Sequence, residues 1–97
     1  MLTRGVPAVL RRTVPEDEPA WDAYRRALGD RLREARLAAG LTQERLAQDA
    51  GVSRTLVQRT ERAYGEVAGV RAMWRLARAC GAPVHDLLHE DDDPATG

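Results

Sequence analysis

Three residues in the middle of the chain have side chains suited to reading the bases of duplex DNA. Arg54, Thr55 and Arg59 lie in a segment with helical spacing. Thr55 and Arg59, four positions apart, therefore share one face, with Arg54 beside them at the helix start. A guanidinium can form two hydrogen bonds with guanine, and a threonine methyl can contact the thymine methyl. The pattern predicts a helix lying in the major groove.

Residues 41–61 contain the elements that would position this helix. Thr42 is a predicted N-cap for a first short helix, and Ser53 is a predicted N-cap for the helix that carries the three residues and runs to about Arg62. Gly51 between them supplies a turn, because a left-handed backbone is cheap only without a Cβ. The segment is typical of a helix-turn-helix. The residues predicted to face the core are Leu46, Ala47, Ala50, Val52 and Val57.

Three further helices follow from apolar spacing and helix-stop residues. The first runs from about Pro19 to Ala39, where an apolar stripe recurs every three or four positions and Gly29 weakens the middle. The fourth spans about Val70 to Cys80, and Pro83 opens a short fifth helix. In the fourth helix, the residues predicted to be buried are Val70, Met73, Leu76, Ala77 and Cys80.

The predicted fold is all-α, with five helices in one domain over residues 18–90. Residues 1–17 have no sustained period and are expected to form a flexible arm, in which Arg4, Arg11 and Arg12 either touch DNA or are simply part of a free terminus. Residues 91–97 are expected to form a disordered acidic tail. The sequence contains no β-hairpin signal and no internal repeat.

The charge distribution favours a phosphate-binding body although the net charge is zero. All fifteen basic residues are arginine. Twelve of them lie between Arg25 and Arg78, against six acidic residues in the same segment, which gives this part of the chain a charge of +6. Arginine suits forked contacts with phosphate or guanine, although a GC-rich genome would produce the same bias.

Other function classes receive little support. No apolar run is long enough to cross a membrane, and the single cysteine, Cys80, fits a reducing cytoplasm, where we expect the protein to act. His85 and His89 have a helical metal-binding spacing but no further ligand at a suggestive distance, so we expect no metal and no other cofactor. No phosphate-binding loop, carboxylate pair or activated nucleophile indicates an enzyme.

The chain resembles the XRE family of DNA-binding domains, of the phage-repressor and Cro type. The resemblance covers residues 28–89 and is carried by the segments 28–36, 41–47 and 51–54, by Glu61, and by residues 76–88. It implies a five-helix repressor-like bundle that binds double-stranded DNA through its third helix. Several independent pieces occur in the family's order, which makes the resemblance specific.

The resemblance also implies roles for individual residues. Arg54, Thr55 and Arg59 match the family's base-reading positions. Gln43 matches a glutamine that bonds a phosphate and braces the recognition helix, and Arg36 and Glu61 match a partly buried salt bridge between helices 1 and 3. Further DNA contacts are expected from Ser53, Gln58 and Arg62.

Several positions depart from the family pattern. Ala63 replaces the usual glycine two residues after Glu61, and the following loop, which contains Glu66, is about two residues longer and has no proline before helix 4. Leu56 is apolar on a face that is usually polar, and Thr60 stands where an apolar residue is usual. Helix 1 begins earlier than in the family.

Two functions from different classes remain open. The first is a transcriptional repressor acting as a homodimer on a two-fold operator. The second is a protein-interaction module or antitoxin that keeps the fold. Trp21 and Tyr24 are candidate partner-surface residues, but they could instead pack under the arm or against helix 5. Leu87 and Leu88 could pair with a second subunit or pack helix 5 onto helix 1, and we expect one leucine in each role.

Overall fold

A computed structural model describes residues 18–90, and this part of the chain contains five helices and no strand. The prediction of an all-α fold is confirmed. None of the described helices combines the length and apolar composition needed to cross a membrane. The predicted arm at residues 1–17 and tail at residues 91–97 lie outside the described residues. The helices are α1 Glu18–Ala38, α2 Gln43–Ala50, α3 Arg54–Glu61, α4 Val70–Cys80 and α5 His85–Leu88.

The core forms where α1 meets the other helices. α1 packs against α3, α4 and α5, and α2 packs against α3 and α4. Apart from Met73 the buried apolar side chains are all aliphatic, as expected for a chain without phenylalanine. These residues are Leu28, Leu32, Leu46, Ala47, Ala50, Val57, Met73, Leu76, Ala77 and Leu87.

Gly29 permits a close approach between α1 and the end of α3. A Cβ at this position would lie 2.5 Å from the carbonyl oxygen of Thr60 and 2.8 Å from that of Glu61. Both distances are shorter than any ordinary van der Waals contact, and both neighbours are backbone atoms. The sequence interpretation of Gly29 as a weak point in the helix was therefore incomplete, because the residue lets α1 lie directly against α3.

The helix-turn-helix has the local structure that its capping residues predict. The Thr42 hydroxyl accepts a hydrogen bond from the Arg45 amide, and the Ser53 hydroxyl accepts one from the Leu56 amide. Gly51 ends α2 with φ at 70°, and its amide bonds back to the last turn. Val52 is half-buried and packs against the core. The turn therefore fixes the angle at which α3 leaves α2.

Two of the unusual residues, Ala63 and Leu56, lie in or beside the loop at residues 62–69. Ala63 has φ at 54°, and it is the one non-glycine residue with a positive φ in the described part of the chain. Leu56 is half-buried, packs against the core, and lines a depression together with Val67 and Ala68 from the loop. Leu56 is thus anchored to the core and opens into this depression instead of standing free on the surface.

Candidate nucleic-acid interface

The outer face of α3 displays the residues that the sequence singled out. Arg54, Thr55 and Arg59 are exposed, as is Arg62 at the C-cap, while Gln58 is half-buried. Their side chains project from one short helix whose opposite side holds Val57 in the core. α3 therefore presents a polar, basic surface on a buried support.

Two depressions flank this surface. Thr55 and Arg59 line both, so they form the ridge between them. One depression also contains Tyr64, which is 68% exposed at the start of the loop and which the sequence analysis did not identify as a site residue. The other contains Glu66, whose carboxylate would repel a phosphate there. The loop therefore shapes both sides of the candidate interface.

A buried ion pair fixes the end of α3 to α1. Arg36 Nε lies 2.7 Å from Glu61 Oε2, and its Nη2 donates to Glu61 Oε1 at 3.0 Å. The remaining nitrogen, Nη1, donates to the carbonyl of Leu41 at 2.9 Å. The two side chains are only 11% and 4% exposed. The hydrogen bond to Glu61 raises the pKa of Arg36, and burial opposes that effect.

Gln43 extends this pair into α2. Its Nε2 donates to Glu61 Oε1 at 3.1 Å, so Glu61 binds groups from α1 and α2 while standing at the end of α3. All three helices of the site therefore meet at one carboxylate. We call Arg36, Gln43 and Glu61 the brace.

Thr60 satisfies its own hydroxyl inside the protein. The residue is 8% exposed, and its Oγ1 donates to the Leu56 carbonyl one turn earlier at 2.7 Å. A polar residue at this buried position therefore leaves no unpaired hydroxyl. This explains how the chain tolerates threonine where the family has an apolar side chain.

The four candidate partner-surface residues differ in how accessible they are. Leu87 is 1% exposed and belongs to the core, so it is not available to a second subunit. Leu88 is half-buried, and its carbonyl accepts a short hydrogen bond from the Tyr24 hydroxyl. Trp21 stacks on Tyr24 with ring centroids 5.8 Å apart and is 46% exposed. Tyr24 thus packs on α5, while Trp21 and Leu88 remain accessible.

The outer face of α4 differs from the sequence expectation. The prediction of a buried Val70 is wrong, because the residue is 74% exposed in the first turn of α4. One turn later Trp74 is 47% exposed, with the Arg78 guanidinium 5.0 Å from its ring centroid. Cys80, also predicted to be buried, is half-buried. Burial nevertheless raises the pKa of its thiol.

The two histidines do not form part of a metal-binding cluster. His85 Nε2 lies 3.1 Å from the Asp86 carboxylate, and His89 Nδ1 lies 2.9 Å from the His85 carbonyl. Within residues 18–90 no group of three or more histidine, cysteine or acidic side chains could hold a metal ion.

Comparisons with known proteins agree with this geometry. A family model described as a helix-turn-helix domain matches residues 27–89. Among solved structures, the chain is similar to a hypothetical transcription factor, NHTF, from Neisseria, with a TM-score of 0.64 and 26% identity over 88% of each chain. No curated protein matches the chain. Since the family model covers more than half of the sequence, the chain belongs to the helix-turn-helix domain family.

Proposed function

We propose that this protein is a sequence-specific transcriptional regulator that represses its targets by binding a two-fold operator through α3. The observation that carries the proposal is the exposed Arg54, Thr55 and Arg59 surface on a helix whose end is held by a buried ion pair. A rigid support matters because base recognition needs the guanidinium groups to meet guanine edges in a fixed orientation. The similarity to a transcription factor from Neisseria supports the same function.

The contacts divide into base-reading and backbone-binding groups. Arg54, Thr55 and Arg59 would meet base edges in the major groove. Phosphate contacts would come from Gln43, Ser53, Gln58 and Arg62, which lie at or near the ends of α2 and α3. Helix N-termini favour this placement for Gln43 and Ser53, because their free amides and positive dipole end attract phosphate, whereas Arg62 at the C-cap of α3 would bind phosphate through its own charge. We further infer from the family resemblance that the domain is of the XRE type, and from the single cysteine that it acts in the cytoplasm.

A homodimer is the assembly that suits this domain. Trp21 and Leu88 would supply accessible apolar surface for a second copy. A two-fold dimer would place its two α3 helices in successive major grooves, about 34–36 Å apart. Repression would then be steric, because the bound dimer occupies the site that polymerase or another regulator needs.

Selection of bound duplexes from a random library tests this proposal. We expect an enriched inverted repeat whose half-site centres are separated by about 10–10.5 base pairs, one turn of DNA. A single unrepeated half-site would contradict the dimer but not the recognition helix. Failure to enrich any sequence from the library would contradict sequence-specific binding.

A second candidate function is protein interaction, and the outer face of α4 favours it. Val70 and Trp74 are exposed apolar residues one turn apart, Arg71 and Arg78 flank them, and α4 contains no acidic residue. Tryptophan and arginine are the residue types that most often dominate protein interfaces. The complementary partner would be an acidic segment with an apolar anchor, as in an antitoxin or a regulator controlled by another protein.

The variant Trp74→Ala separates this function from DNA binding. If α4 binds a protein, the substitution should abolish the regulatory effect in cells while affinity for the selected duplex is unchanged in vitro. Unchanged regulation by Trp74→Ala would exclude this surface from the function.

A further inference from the structure

The first two turns of α1 contact the loop that borders the candidate interface. Arg25 Nη1 donates to the Gly65 carbonyl at 2.8 Å, and its Nη2 donates to Asp22 Oδ1 at 2.9 Å. The Arg25 side chain is 22% exposed and Asp22 lies one turn before it. Both residues precede position 27, where the match to the helix-turn-helix family model begins. The contact is therefore made by a part of α1 that the family model does not include.

The Arg25 bond is a polar link between the middle of this loop and α1, while at the downstream end of the loop the Met73 amide bonds to the Gly69 carbonyl. Upstream, the amides of Ala63 and Tyr64 bond back to the carbonyls of Thr60 and Arg59. Among the described residues, the hydrogen bond from Arg25 is the one that joins residues 65–68 to another element. Apolar packing by Val67 and Ala68 against the core completes the attachment.

Arg25 also lies beside a base-reading residue. It lines a small cavity together with Arg59 on α3 and with Tyr64, Gly65 and Glu66 from the loop. The same loop forms walls of both depressions flanking α3. A shift of the loop would therefore move Tyr64 and Glu66 relative to the α3 surface, including the acidic side chain that opposes phosphate.

We propose that Arg25 is a positioning residue for DNA binding, which holds the loop at residues 62–69 in the conformation that leaves the α3 face open. Asp22 keeps the guanidinium aimed at the Gly65 carbonyl. The proposal rests on the function proposed above. It adds that the early start of α1, which the family resemblance left unexplained, holds the loop that borders the candidate interface.

The test compares Arg25→Ala with Arg26→Ala, the neighbouring exposed arginine. The two variants lose the same charge at nearly the same place. A difference in their affinity for DNA therefore reports the hydrogen bond from Arg25 to the Gly65 carbonyl. Arg25→Ala should bind the selected duplex about fivefold to tenfold more weakly than wild type, because the loop must then be ordered on binding. Since Arg25 is not placed on a phosphate, the slope of log affinity against log salt should be unchanged. Arg26→Ala should bind like wild type at moderate salt.

Two further variants distinguish loss of the Arg25 hydrogen bonds from a general loss of folding. Arg25→Lys keeps the charge but cannot bond both Gly65 and Asp22 through a planar fork, and it should give an intermediate affinity. Asp22→Asn should also be intermediate. Equal affinities for Arg25→Ala and Arg26→Ala, measured on proteins with the same thermal midpoint, would overturn the proposal.

Hydrogen exchange without DNA separates this inference from the proposed function. Arg25→Ala should reduce the protection of the Ala63 and Tyr64 amides, and Arg26→Ala should not. Unchanged protection of these two amides in Arg25→Ala would show that Arg25 does not hold the loop. If the wild-type protein binds no duplex, both the proposed function and the positioning role of Arg25 are wrong. Weaker protection of the Ala63 and Tyr64 amides in Arg25→Ala would even then show that Arg25 holds the loop.

Discussion

Replacing Gly29 with alanine tests the close approach between α1 and α3. In an isolated helix the change would be favourable, since alanine is better than glycine by about 1 kcal/mol. In the protein the new Cβ would lie 2.5 Å from the Thr60 carbonyl oxygen and 2.8 Å from the Glu61 carbonyl oxygen. Neither atom belongs to a flexible side chain that could rotate away. The two helices must therefore separate.

Separating α1 from α3 destabilises the protein by more than the higher helix propensity of alanine stabilises it. Overpacking of a well-packed core typically costs about 1–3 kcal/mol, and here the displaced residues include Glu61 of the brace, whose bonds to Arg36 are 2.7 and 3.0 Å long. Because both neighbours are backbone atoms that cannot rotate away, we take the upper part of this range, about 2–3 kcal/mol, and expect Gly29→Ala to lower the free energy of unfolding by about 1–2 kcal/mol once the propensity gain is subtracted. For a domain of this size the thermal midpoint should fall by roughly 5–15 °C.

Urea denaturation followed by circular dichroism measures the change. Ala23→Gly, at an exposed position of the same helix, is the control for propensity alone and should cost about 1 kcal/mol. If Gly29→Ala proves as stable as wild type or more stable, α1 and α3 do not approach as closely as described.

Substitutions at three further positions address the brace, the loop and the base-reading face. Glu61→Ala leaves the buried Arg36 guanidinium without its carboxylate and should lower the free energy of unfolding by about 3–5 kcal/mol, and Glu61→Gln should lower it less. A loss below about 1 kcal/mol for Glu61→Ala in denaturant titrations would refute the stabilising role of the brace. Ala63→Gly should raise the free energy of unfolding by up to about 1 kcal/mol, because the strain of a left-handed alanine that it removes outweighs the greater unfolded-state entropy of glycine. A lower thermal midpoint would contradict this strain. Arg54→Ala should cost about 1–3 kcal/mol of discrimination at one operator position, and an unchanged base preference in binding competition would remove Arg54 from base reading.

The elements set by local interactions could be predicted from the sequence. Thr42 and Ser53 cap their helices through bonds three residues away, and Gly51 adopts the left-handed backbone that ends α2. Such features depend on neighbouring residues only. The predicted bounds of α4 therefore agree with the structure, and those of α1 differ by one residue at each end. The fifth helix is shorter than predicted, beginning at His85 rather than at Pro83.

The features that depend on distant parts of the chain could not be predicted in the same way. Gly29 shows its role only once α3 lies against it, and the exposure of Val70 depends on which elements pack beside the first turn of α4. The positions of Arg36 and Glu61 were suggested by family resemblance rather than by spacing. The Arg25 contact leaves no signal in the sequence, because its partner is a backbone carbonyl forty residues away.

Fluorescence anisotropy of a selected duplex with the purified protein, measured across a salt series, shows whether α3 reads DNA. We expect tight binding at low salt, a steep linear fall of log affinity with log salt as counterions are released, and loss of preference for the selected duplex over a scrambled one in the Arg54→Ala/Arg59→Ala variant. Binding that is absent at low salt, or that keeps its sequence preference in this variant, would contradict the claim that α3 reads DNA.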